Sequence, residues 1–238
     1  RPVARLRLAG PATPDPLFAA LPRRRTCKKP FADRAPAPEA LAPLAAEGAR
    51  LHTAPAEVAR LRDLARRAHD VEMFTPRTLQ ESVDLMRIGK AEILANPDGI
   101  DLGGPVLEGL AALGQLSRPQ LADPESAAFA QGLAMYHALF AATPAWLSLT
   151  GPATREGELA AGRRWMRIHL AATLAGLALH PVSQALQEYP EMDALFAELH
   201  AELPPPAGER LHMLARVGYG PETPASPRWP LETRIAAA

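Results

Sequence analysis

The chain carries 26 prolines in 238 residues. Each removes a backbone donor and fixes φ, so helix interiors and central strands must lie between them. The outcome is a succession of short elements joined by stiff connections. Apolar residues make up 47% and charged residues 22%, enough for a packed core and too ordered a mixture for wholesale disorder. Ala and Leu carry that load, because aromatics are only 5%. The length suits one large domain or one and a half small ones. A formal net charge of zero argues against a dedicated nucleic-acid binder. No window reaches about 18 uninterrupted apolar residues, so no membrane span is expected.

Local pattern places the elements. Residues 3–9 alternate apolar and basic and read as a strand. Asp15-Pro16 caps a short helix to Leu21, and a second runs over 38–47 to Gly48. A strand over 49–53 precedes a long helix over 55–73 and a third over 78–88. Residues 89–105 are rich in Gly, Pro, Asn and Asp and read as a turn-rich connection. Helices follow over 105–115 and 124–142, then a buried strand over 145–150. The longest helix is expected over 155–179, with Gly162 and Gly176 as close-contact points. A helix over 190–202 and a strand over 211–218 complete the order. Four strands among some eight helices, with no βαβ alternation and no repeat, indicate an α+β fold: helices wrapped on a small, mostly antiparallel sheet. The chain begins without Met in a strand-like pattern. We therefore expect 1–12 to be an N-terminal arm or the end strand of a preceding half, and 13–238 to be the domain.

Residues 23–31, Arg-Arg-Arg-Thr-Cys-Lys-Lys-Pro-Phe, concentrate five cations around one hydroxyl and end on an aromatic. Arg offers a planar fork to phosphate oxygens, Lys a point charge and Thr one more donor. The run is equally readable as a solvated basic face beside a helix start. Cys27, the single cysteine, cannot form an internal disulfide. Its cationic neighbours make it a candidate nucleophile, although a small side chain beside a binding loop is the commoner case. The seven histidines show no HExxH or paired spacing, so no metal is expected. His169 reads as a satisfied core residue. His180 reads as a helix-ending imidazole whose partial charge complements the dipole. There is no GxSxG, and Ser117, Ser126, Ser148 and Ser183 lack a recognisable base. GxGxxG and GxxxxGK[ST] are absent. Two further stretches stand out: 176–190, a helix end followed by a polar loop, and Arg216-Val-Gly-Tyr-Gly leading to Arg228 between prolines 227 and 230.

In this order the three stretches resemble the nitroreductase family of flavin enzymes, over most of residues 17–234. The family's Arg-Arg-Ser/Thr-x-Arg/Lys-x-Phe motif holds the FMN ribityl and phosphate groups. Arg24, Arg25, Thr26 and Lys28 occupy its matching positions. Gly162, Gly176-Leu177-Ala178 and Pro181-Val182-Ser183-Gln184 look like the long central helix and the loop whose backbone lies against the isoalloxazine ring. Arg228 fits the basic residue on the phosphate after the terminal Gly-Tyr strand. The chain is more similar still to the second half of double-length members, in which two fused halves imitate the usual dimer. Their Ser-x-x-Asn-x-Gln-Pro-Trp ring motif, carried by the first half, is absent, and Cys27 replaces an Asn.

The resemblance implies hydride transfer from NAD(P)H through FMN to quinone-like or nitro acceptors. The protein supplies orientation and electrostatics, and no side-chain acid or base is required. It implies a backbone N–H of Ser183 or Gln184 toward N5, and a homodimer or a pseudo-dimer with a first half. Independently, residues 89–105 are expected to form a lid insert, because long irregular segments are often functional. The compartment stays open between cytoplasm and, behind a removed export signal, periplasm. The alternatives are a degenerate or flavin-storing protein with an occluded pocket and a ligand-free helical domain.

Overall fold

The computed structural model describes residues 7, 10 and 13–235, so the strand expected over 3–9 lies outside the described residues. Asp15 opens the first element, accepting from Leu17 N at 2.9 Å ahead of a 3-10 turn over Pro16–Ala20. Helix α1 (Pro38–Ala46) leads to β1 (Arg50–His52), α2 (Pro55–Phe74) and α3 (Pro76–Leu85). Next come β2 (Met86–Ile88), α4 (Gly89–Ala95), β3 (Ile100–Leu102), α5 (Pro105–Ala112) and α6 (Arg118–Leu121). The chain continues with α7 (Ala127–Ala141), β4 (Ala145–Pro152), α8 (Arg155–Leu174), β5 (Ala178–Pro181), α9 (Asp193–Glu202) and β6 (Glu209–Gly218). Helices α1, α2, α3, α5 and α6 each carry proline in the first turn. There the missing N–H has no intrahelical partner to lose. These prolines thus set helix starts, while Pro43 lies inside α1, against the expectation that helix interiors fall between prolines.

The main sheet is antiparallel throughout, in the order β1-β4-β6-β5. Both its faces are covered. Ala145, Leu147 and Leu149 of β4, with Ala215 and Val217 of β6, pack on Leu41 and Leu44 of α1 and on Ile168, Ala171 and Ala172 of α8. The other face presents Trp146 and Leu214 to Leu61, Leu64 and Ala68 of α2 and to Leu195 and Leu199 of α9. Covered on both sides, β4 is buried continuously over residues 145–149, with no alternation of buried and exposed positions. Trp146 is fully buried, and its Nε1 has no partner among the described residues. Trp146→Ala should therefore cost about 3–5 kcal/mol. Trp146→Phe, which also deletes the unpaired donor, should cost much less. Urea unfolding of the two variants checks the contrast.

Several local expectations give way. Residues 178–181 are not helix but the edge strand β5, paired with β6 from Ala178↔Gly218 to Pro181↔Ala215. Helix α8 stops where Gly176 takes φ +70° and Leu177 N donates to Ala172 O at 2.8 Å, a glycine-terminated helix end. Neither Gly162 nor Gly176 is a close contact, because a Cβ at either would meet nothing within 4 Å. Residues 86–102 form a small βαβ unit, with β2 and β3 parallel and α4 between them, where the end of a helix at 88 and then only turns were expected. Helix α7 starts at Ser126, whose Oγ accepts from Phe129 N at 3.0 Å. Leu79, Val83 and Phe129 form a separate small core beneath the 75–126 excursion.

Candidate functional site

The basic run crosses the edge of the sheet. A single parallel bridge joins Thr26 to Leu179, and Cys27 N donates to Leu179 O at 3.0 Å. The run is thereby laid beside β5, just ahead of the loop that follows Pro181. Its far end is anchored by Phe31, 4% exposed, and by Ala32 N donating to Tyr219 O at 2.8 Å. The Gly at 218 belongs to this anchor: a Cβ there would stand 2.7 Å from the Phe31 ring.

Two buried groups from the sheet and α8 hold the run from beneath. His169, 3% exposed, places Nε2 2.9 Å from the Arg25 carbonyl and Nδ1 3.4 Å from Arg24 Nη1. The carbonyl needs a donor and the guanidinium an acceptor, so the neutral imidazole serves both. Burial, reinforced by Arg24 and opposed by the bond to Arg25, pulls its pKa down to about 4. Arg216, fully buried, donates from Nε to Thr143 Oγ1 at 2.7 Å, from Nη1 to His180 Nδ1 at 3.0 Å and from Nη2 to Lys29 O at 3.3 Å. Its guanidinium also lies 4.2 Å from the centre of the Phe31 ring. His180 is correspondingly neutral. Burial first, then Arg216 and Lys28, lower its pKa to about 3, which overturns the expected dipole-complementing cation.

Above this clamp, Arg24, Arg25 and Thr26 share a cleft of about 280 Å³ with Leu21, Pro22, Ala225, Ser226 and Arg228. None of the described lining residues is acidic. Burial, then Arg228 and Arg25, depress the pKa of Arg24, so the three cations disfavour one another. Arg25 Nε is buried without a partner among the described residues. Arg25 Nη1 is spent on Pro22 O and Arg24 O, both at 2.8 Å, which shape the loop itself. Such a cleft is built to receive an anion.

Of the residues singled out in the sequence, Arg24, Arg25, Thr26 and Arg228 converge on the cleft. Lys28 and the segment Pro181, Val182, Ser183 and Gln184 do not line it. Lys28 is exposed and acts electrostatically on His180. Val182 is buried, its N–H donating to Leu214 O at 2.8 Å, and Gln184 Oε1 is buried without a partner among the described residues. Ser226, His169, His180 and Arg216 were missed as parts of the site. Their partners lie far away in sequence, so spacing carried no signal. Cys27 is buried at 2% exposure with Sγ 3.8 Å from Pro221 O, which removes it as a nucleophile.

Ser148 does have a base partner, contrary to expectation. His52 Nε2 lies 2.8 Å from Ser148 Oγ and Nδ1 2.7 Å from Glu57 Oε1. Both Ser148 and His52 are 1% exposed. No substrate reaches the hydroxyl, so the line is a buried tie between β1, β4 and α2. Among the described residues no helix is long and apolar enough to cross a membrane.

No family model and no curated protein matches the chain. Solved structures do. The FMN-dependent nitroreductase NfnB of Mycobacterium smegmatis, in complex with NADPH, is similar at 19% identity over 93% of this chain and 99% of its own, with a TM-score of 0.54. A variant of the FMN and NADPH-dependent NfnB of sphigopyxis sp. strain HMH matches at 18% identity over 93% and 98%, with a TM-score of 0.55. A nitroreductase with bound FMN from Bacteroides fragilis matches at 12% identity over 94% and 100%, with a TM-score of 0.51. With likeness running the length of both chains, this chain has the nitroreductase-like fold.

Proposed function

We propose that the chain is a flavoprotein subunit that holds FMN by its phosphate in the Arg24, Arg25, Thr26 and Arg228 cleft. The observation that carries this is the convergence of three arginines, from loops about two hundred residues apart, on a cleft with no carboxylate among its described lining residues. The partnerless Arg25 Nε and the mutual repulsion of Arg24, Arg25 and Arg228 fit a doubly charged phosphate, which satisfies the first and relieves the second. Thr26 and Ser226 add hydroxyl donors. Pro181, Val182, Ser183 and Gln184 are the segment we assign to the ring. The bridge at Thr26↔Leu179 supports that assignment by setting the basic run alongside the strand that leads into it. FMN, when bound, supplies hydride transfer between NAD(P)H and a quinone-like or nitro acceptor. The chain's own work is to grip the phosphate, keep His169 and His180 neutral beneath it and hold the 181–184 loop against β6.

A second half, either another copy or a fused partner, completes the ring side in this reading. The outer face of α8 exposes Leu159, Met166 and Leu174, an apolar stripe such a partner would cover. One contact favours the flavin-storing alternative. Trp229 Nε1, next to Arg228, donates to Asp98 of the 89–105 insert at 3.3 Å, so the insert meets the arm that builds the cleft.

Reconstitution with FMN, gel filtration and anaerobic addition of NADPH separate the readings. Retained flavin that NADPH bleaches supports the oxidoreductase. Retained flavin that stays oxidised supports storage. Absence of retained flavin, both alone and in the full-length protein, defeats both.

A further inference from the structure

We propose that His69, Asp70 and His137 form a divalent-cation site of the zinc type that staples α2 to α7. Each of the three residues brings a ligand atom within 4.8 Å of the other two. Two imidazoles and one carboxylate are a donor set suited to zinc, with a fourth position left for water. The parts are already oriented. His137 Nε2 lies 2.6 Å from Asp70 Oδ1, and a cation displaces the proton they share. Asp70 Oδ2 accepts from Arg66 Nη1 at 2.9 Å, the kind of outer contact that fixes a ligating carboxylate. The His69 ring is locked by stacking on Tyr136 at 4.4 Å and by an edge contact with Phe140 at 5.7 Å. His69 is 3% exposed, and its Nδ1 has no hydrogen-bond partner among the described residues. A buried imidazole nitrogen without a partner calls for an explanation, and a ligand is one. The side chains of Asp70 and His137 are 24% and 33% exposed, which leaves an entry path from solvent.

Position gives the site a purpose. Helices α2 and α7 are the stems of the 75–126 excursion, where Leu79 and Val83 cluster with Phe129 of α7. A cation joining the stems closes that excursion at its base, where a cross-link restrains a long loop most. Asp70 and His137 stand 67 residues apart, so sequence spacing showed no pair.

The test uses untagged full-length chain dialysed against zinc and then against metal-free buffer. Elemental analysis should find one zinc per chain, reduced to background in His137→Ala and in Asp70→Asn, and thermal unfolding should shift upward with zinc only in the unaltered protein. Cobalt(II) added to the unaltered protein, which needs no variant to fold, should give the intense visible bands of a four-coordinate site. Zinc at background in the unaltered chain, zinc unchanged in both variants, or a pale six-coordinate cobalt spectrum would each overturn the proposal. None of these readouts depends on flavin.

Discussion

Replacing Arg228 by Gln should weaken FMN binding about 10- to 100-fold, the worth of roughly one charge-assisted hydrogen bond. The same change should leave the ligand-free chain as stable as before or slightly more so. The two signs follow from one geometry. Arg228 is exposed, and among the described residues its side chain bonds to the neighbouring carbonyls of Pro227 and Ser226 alone. Its removal therefore breaks no core contact and relieves its repulsion of Arg24. Combining Arg24→Gln with Arg228→Gln should multiply the loss. Raising the salt concentration should weaken binding to the unaltered protein, because part of the attraction is screened. Flavin fluorescence titration and urea unfolding of the same samples read both signs. An affinity that ignores both substitutions would return the basic run to an ordinary solvated face.

Acid should unfold this chain well before its carboxylates are fully protonated. Folded His169 and His180 titrate at about 4 and about 3, against 6.5 for the free imidazole. With folded pKa values depressed, the unfolded state binds more protons throughout that interval. Their contribution is thus complete above pH 6.5 and is lost as pH falls toward 4 and then 3. Each histidine removes about 1.4 kcal/mol per pH unit inside its window. The combined loss is on the order of 5–10 kcal/mol, against a total stability of about 5–15 kcal/mol for a typical domain. Urea unfolding at a series of pH values should show that slope. His169→Gln keeps a donor for the Arg25 carbonyl without titrating, and should flatten the slope by no more than about a third, because burial also holds His69 down to about 4 and lowers His52. A stability unchanged between neutral pH and pH 5, or a slope that His169→Gln leaves intact, would show that these imidazoles do not control it. Because protonated His169 can no longer accept from Arg24, flavin release should accompany the acid transition.

Much of the fold was legible because its signals are local. Helices α1, α2 and α5 begin at Pro38, Pro55 and Pro105, where they were expected, Asp15 capped the opening turn as expected, and the stretch 145–150 marked a buried strand, whereas the helix expected over 78–88 runs over Pro76–Leu85. Arg24, Arg25, Thr26 and Arg228, which line one cleft, stood out in the sequence for a similar reason: cations crowded around a hydroxyl, and an arginine between prolines, are unusual at any one place in a neutral chain. The strand at 178–181 was not legible. Ala-Leu-His-Pro continues the composition of α8, and only the ladder to β6 makes it extended. The pairing of β2 with β3 hides likewise in a segment whose composition signals turns.

What the sequence by itself determined is where the chain can and cannot be regular, and which groups are charged enough to hold an anion. Both follow from residue chemistry acting over a few neighbours. Only the tertiary structure decided that Arg228 faces Arg24, that His169 and Arg216 clamp the basic run from below, and that His69 and Asp70 meet His137. These residues lie from 67 to just over 200 positions apart in the chain. Burial on both faces of the sheet selects them, and no local pattern encodes which distant residue a side chain will meet.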